Sequence, residues 1–99
     1  MSQQKIVGVA WYYPEQWDKI RSHSKDRSEM AKDYADWERG AQDGIKKFER
    51  DGYTIRKVYI DVDMLVAWCK RQRVPVNGRS RSDYANHLMA DRSGFDADI

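Results

Sequence analysis

Residues 30–50 read MAKDYADWERGAQDGIKKFER, and this stretch decides the fold. Met30, Tyr34, Trp37, Ala41, Ile45 and Phe48 follow one another at intervals of 4, 3, 4, 4 and 3. A helix that turns every ~3.6 residues gathers them into one apolar stripe and leaves the charged residues on the opposite face. The spacing predicts a helix from about Asp26 to Arg50, with Gly52 as its C-terminal cap. At ~1.5 Å per residue that helix is about 37 Å long, whereas a 100-residue domain has a radius of gyration near ~13 Å. A stripe that long asks for a partner. Gly40 and Gly44, one turn apart, predict either close packing of a second helix or a kink. The reading is a homodimer assembled through Tyr34, Trp37, Gly40, Ala41 and Gly44.

Outward from this helix, the chain alternates strand and helix. Lys5 to Tyr12 is apolar at Ile6, Val7, Val9, Ala10 and Trp11, which predicts a strand covered on both faces. Pro14 suits the first position of a short helix carrying Trp17 and Ile20. Tyr53 to Val62 predicts the second strand, with Val58, Ile60 and Val62 on one face and Ile55 and Tyr59 on the other. Asp61 or Asp63 can cap the helix lined by Leu65, Trp68, Cys69 and Gln72. Val74 to Gly78 reads as a loop with a turn at Asn77-Gly78. Ser80 with Asp83 resembles a capping box opening a last helix through Tyr84, Ala85, Leu88 and Met89. The fold class is α+β: a small two-stranded β-α-α-β-α-α domain, mostly helical, with one long central helix. A single domain over residues 1–91 and a flexible tail over 92–99 are expected. A crossover between the strands favours parallel pairing, and the antiparallel arrangement stays open.

Composition narrows the function classes. In 99 residues, Leu, Ile, Val and Phe number only 17, while four Trp and six Tyr supply large rings to bury instead. A lone cysteine, Cys69, forms no internal disulfide and fits a reducing, cytoplasmic compartment. The N-terminal residues lack the apolar stretch of a signal peptide, and no run has the length of a membrane span. The net charge is +2, with 18 bases against 16 acids, yet between Asp63 and Asp83 five bases meet no acid.

Catalytic constellations are thin. Tyr59-Ile60-Asp61-Val62-Asp63 places two carboxylates at the end of a strand, where magnesium-dependent enzymes hold metal. A helix cap accounts for the same residues more simply. His23, His87 and Cys69 lack ligand spacing, so no metal site and no cofactor are expected. Cys69 beside Trp68 reads as a buried hydrophobe. Ser22-His23-Ser24 has no third orienting group. No small-molecule substrate is suggested, and the chain is read as non-enzymatic.

The basic stretch is the better candidate. Lys70, Arg71 and Arg73 end one helix, and Arg79 and Arg81 begin the next, so five cations flank one loop. Free N–H groups at the last helix's start can bind phosphate, and Tyr84 can stack on a base. The helix dipole alone explains cations at a C-terminus but opposes Arg79 and Arg81. Nucleic-acid or polyanion binding is therefore the alternative to self-association. The loop is too long for the tight turn of a helix-turn-helix.

Finally, Ala67-Trp68-Cys69-Lys70, then Val74-Pro75-Val76-Asn77-Gly78, then Arg81 and Tyr84-Ala85 resemble a group of small bacterial proteins with no assigned function. The likeness covers roughly residues 58–90 and implies a bacterial origin, with no activity attached.

Overall fold

The computed structural model describes the backbone of residues 5–97 and the side chains of residues 5–90. Its elements are β1 (Lys5–Trp11), a 3-10 turn at Pro14–Gln16 leading into α1 (Trp17–His23), a second 3-10 turn at Arg27–Glu29, α2 (Tyr34–Arg50), β2 (Tyr53–Tyr59), α3 (Val62–Gln72) and α4 (Gly78–Ala97). The two strands pair in parallel, Lys5 opposite Tyr53 through Trp11 opposite Tyr59. The α+β class and the element order follow the sequence reading, and the antiparallel alternative is excluded.

Side chains alternate across this sheet and give each face one helix. On one face Trp11 meets Trp37 of α2 at 4.8 Å, and Tyr53 meets Phe48 of α2 at 5.6 Å. On the other, α4 lies so close over Gly8 that a Cβ there would sit 3.2–3.3 Å from Asn86, Val58 and Met89. Coverage of β1 is nevertheless incomplete, because Ile6 is 45% exposed at the strand's start.

The rings supply much of the burial. Trp11, Tyr12, Trp17 and Tyr84 are buried alongside Ile20, Leu65 and Cys69. Trp37 fills the centre of a cage, 5.0 Å from Trp17, 5.4 Å from Tyr12 and 5.3 Å from Tyr34. Tilted and stacked ring contacts of this kind favour association beyond the area they bury.

Three boundaries differ from expectation. The long helix starts at Tyr34 rather than Asp26, so it is 17 residues long, about 26 Å at the ordinary helical rise. Met30 and Asp33 are extended (ψ 148° and 145°), and Trp17 Nε1 donates to Ala31 O at 3.1 Å. Asp26 is drawn out of any helix by contacts with α4. The expected strand through Val62 ends at Tyr59: Ile60 N still donates to Trp11 O, but Asp61 turns the chain into α3. The last helix opens at Gly78, capped by Asn77 and Ser80 and not by Ser80 and Asp83. Asn77 N donates to Ser80 Oγ at 2.9 Å, and Ser80 N donates to Asn77 Oδ1 at 3.0 Å. Gly52 behaves as read, ending α2 at φ +94°, a conformation most side chains resist. The backbone of α4 continues to Ala97 through most of the expected tail, whose side chains and last two residues lie outside the described residues.

Candidate functional site

The cations predicted from sequence divide into two groups. Arg81 is used internally. Its guanidinium donates to Asp26 Oδ1 at 2.8 Å and Oδ2 at 3.0 Å, and to Ser24 Oγ at 2.9 Å. Its side chain is only 13% exposed. Asp26 Oδ2 also accepts from Gly78 N at 3.1 Å. The phosphate-binding end expected on α4 is therefore already filled by a carboxylate of the same chain. Arg81 hydrogen bonds hold the Asp26 carboxyl below its usual pKa, outweighing the opposing effect of desolvation.

Tyr84 is likewise unavailable for stacking. It is 4% exposed and packs on Trp68 at 5.3 Å. Burial pushes its hydroxyl pKa up, and the nearby Asp61 charge adds to the rise. A tyrosine one turn into a helix can serve core or surface, and here Tyr84 joins Ala85 in the core.

Lys70, Arg71, Arg73 and Arg79 remain exposed around the α3–α4 junction. Among the described residues, no carboxylate comes within 4.0 Å of Lys70, Arg71 or Arg73, whereas Arg79 reaches Asp83 at 3.8 Å with its side chain 91% exposed. Arg73 ends α3 in the left-handed conformation (φ 59°), and its N–H and that of Val74 close the helix onto Lys70 and Cys69. Beside these cations runs a cleft of about 310 Å³, walled by Trp68, Gln72, Pro75 and Arg79. The loop between the helices is pinned: Ser80 Oγ donates to Pro75 O at 2.7 Å, and Lys25 N donates to Val76 O at 2.8 Å. The site is a hydrogen-bonded loop with four exposed cations and one cleft walled by the Trp68 ring.

The strand-end carboxylates do separate work. Asp61 Oδ1 accepts from Met64 N at 3.1 Å, capping α3, and Asp63 pairs with Lys19 at 2.8 Å. Among the described residues no cluster of three His, Cys, Asp or Glu is placed to hold a metal. Cys69 is buried, and His87 lies 5.8 Å from Trp68 within the α3–α4 contact.

The residues expected to mediate self-association are split as well. Tyr34 and Trp37 belong to the aromatic cage, with Tyr34 Oη donating to Tyr12 O at 2.7 Å. Around Gly40 and Gly44 the space that a Cβ would enter is open, and among the described residues no other element packs there. Ala41 lies half-buried between them.

The sequence pattern allows Asn86 an outward position on the last helix, and the structure turns it onto β1 instead. Its side-chain amide accepts from Gly8 N at 2.9 Å and donates to Gly8 O at 3.1 Å, pairing with β1 as a neighbouring strand would. An asparagine inside a helix, where it is a poor former, was the available signal.

Among known proteins, no family model, no curated protein and no solved structure matches the chain. Among the described residues, no helix is long and apolar enough to cross a membrane.

Proposed function

We propose that this protein is a non-enzymatic binding domain of the cytoplasm whose α3–α4 junction grips the sugar-phosphate backbone of a nucleic acid. One observation carries the reading: Lys70, Arg71, Arg73 and Arg79 stand exposed around a single loop without close acidic partners, Asp83 apart. The dipole of α3 accounts for Lys70 and Arg71 in its last turn. It does not account for Arg79, which stands where the dipole of α4 disfavours a cation. Phosphate contacts release counterions, so four contacts to a duplex predict a log–log salt slope of about −3.6. The double substitution Arg73→Ala and Arg79→Ala reduces that slope to about −1.8. Fluorescence anisotropy with a labelled duplex, titrated at several salt concentrations, measures both. No binding at low salt, or a slope that ignores the double substitution, overturns the reading.

Self-association is the second reading. The observation favouring it is that α2, although amphipathic, contains no fully buried residue and leaves Phe48 46% exposed. With the helix shortened to 17 residues, its length no longer asks for a partner, and the exposed end of its apolar stripe at Phe48 is what supports one.

A further inference from the structure

The two edges of the sheet are treated differently. In a parallel ladder each residue turns its N–H and C=O to the same side, and successive residues alternate. The bond from Ile60 N to Trp11 O fixes the phase. Trp11, Val9 and Val7 therefore face β2, and Gly8 faces away, where Asn86 satisfies both of its groups. By the same alternation, Arg56 and Val58 face β1, and Tyr53, Ile55, Lys57 and Tyr59 direct their backbone groups to the outer edge of β2. Among the described residues nothing hydrogen-bonds that edge. One edge is guarded and the other is open.

We propose that the open edge of β2 pairs antiparallel with β2 of a second copy, joining two sheets into one of four strands. The inference rests on the self-association reading and moves its surface from the face of α2 to the edge of β2. Reversed, the strand Tyr53-Thr54-Ile55-Arg56-Lys57-Val58-Tyr59 matches itself at its ends, where Tyr53 opposes Tyr59 and Thr54 opposes the similarly shaped Val58. A two-fold axis at Arg56 is the register in which all seven residues of each strand overlap, and it makes the outward-facing residues hydrogen-bonded pairs: Tyr53 with the partner's Tyr59 and Ile55 with the partner's Lys57. Gly52 at φ +94° and the turn at Asp61 prevent the pairing from running further. The ends of the strand are prepared for it. Tyr59 and Tyr13 stack at 4.7 Å while 47% and 50% exposed, and Tyr53 packs edge-on against the exposed Phe48. The axis brings one aromatic pair of each copy against the other pair of its partner. The cost sits at the axis, where Arg56 meets the partner's Arg56, an exposed like-charge contact.

Three variants test this by sedimentation equilibrium, with far-ultraviolet circular dichroism confirming the fold. Lys57→Pro removes an outward N–H that the β1 ladder does not use, and the loss of two hydrogen bonds predicts about tenfold weaker dimerisation. Lys57→Ala removes the ammonium from its place 4.2 Å over the Trp11 ring but keeps that N–H, so dimerisation changes by less than about threefold. Arg56→Thr relieves the charge at the axis and tightens the dimer by about threefold, an effect that misfolding does not imitate. A chain that stays monomeric to about 0.5 mM, with Arg56→Thr no different, overturns both the edge and self-association. A dimer that ignores Lys57→Pro and Arg56→Thr overturns the edge alone and returns self-association to the face of α2.

Discussion

Replacing Asp26 by alanine tests the contact that reshaped the chain relative to its sequence pattern. The carboxylate takes two hydrogen bonds from Arg81 and one from Gly78 N, and the two side chains are 13% and 22% exposed. An exposed ion pair contributes ~1 kcal/mol or less, and breaking a fully buried one costs ~3–5 kcal/mol because a charge is stranded. This pair lies nearer the buried limit, and Ser24 Oγ still serves Arg81, so Asp26→Ala should cost about 2–4 kcal/mol at pH 7. The pH dependence follows from the depressed pKa. Stability from the pair is complete above the usual carboxyl value of 3.8 and is lost as the pH falls through the lowered folded-state value. Urea titrations followed by tryptophan fluorescence, run from neutral to acid pH, should therefore show the gap between wild type and variant closing on acidification. A gap below about 1 kcal/mol at pH 7, or one that does not change with pH, refutes the reasoning.

Two further substitutions probe the polar contacts elsewhere. Asn86→Ala strips both hydrogen bonds from Gly8; it should cost about 1–2 kcal/mol in denaturant titrations and, by opening the β1 edge, raise concentration-dependent light scattering. Asp61→Ala removes the α3 cap to Met64 N and should cost ~1 kcal/mol in thermal melts; a loss near zero would mean that the cap is not formed in solution.

What the sequence makes legible is whatever depends on local spacing. The apolar stripe from Tyr34 to Phe48, the β1 run, the Gly52 terminus and an aspartate cap on α3 are all set by neighbours a few residues away. What stays hidden depends on distant partners. Met30 continues the helical stripe because it packs against the same core, yet the chain there is extended. Asp26 answers Arg81, 55 residues on, and Trp17 reaches across to Ala31. No local period can report such a contact, so the stripe alone starts the helix at Asp26, eight residues before its observed start at Tyr34. The basic site was legible as charge and illegible as geometry. Counting finds five cations; only the fold shows that one of them is neutralised and that Tyr84 has turned inward.

These hidden contacts also bear on the proposed site. Asp26 holds the start of α4 from outside, Lys25 N binds Val76 O, and Ser80 clasps Pro75 and Asn77. The loop that presents Arg73 and Arg79 is thus fixed before any ligand arrives, which spares the binding step part of its ordering entropy. Two opposing effects then meet at Asp26. Removing its charge makes the junction more positive and attracts a polyanion at long range, while loosening the loop restores the disorder that binding has to remove. If rigid presentation matters more than summed charge, an Asp26 variant that remains folded binds nucleic acid more weakly despite its higher net charge. If charge alone governs, it binds more tightly, and the order built into this loop serves only the stability of the fold.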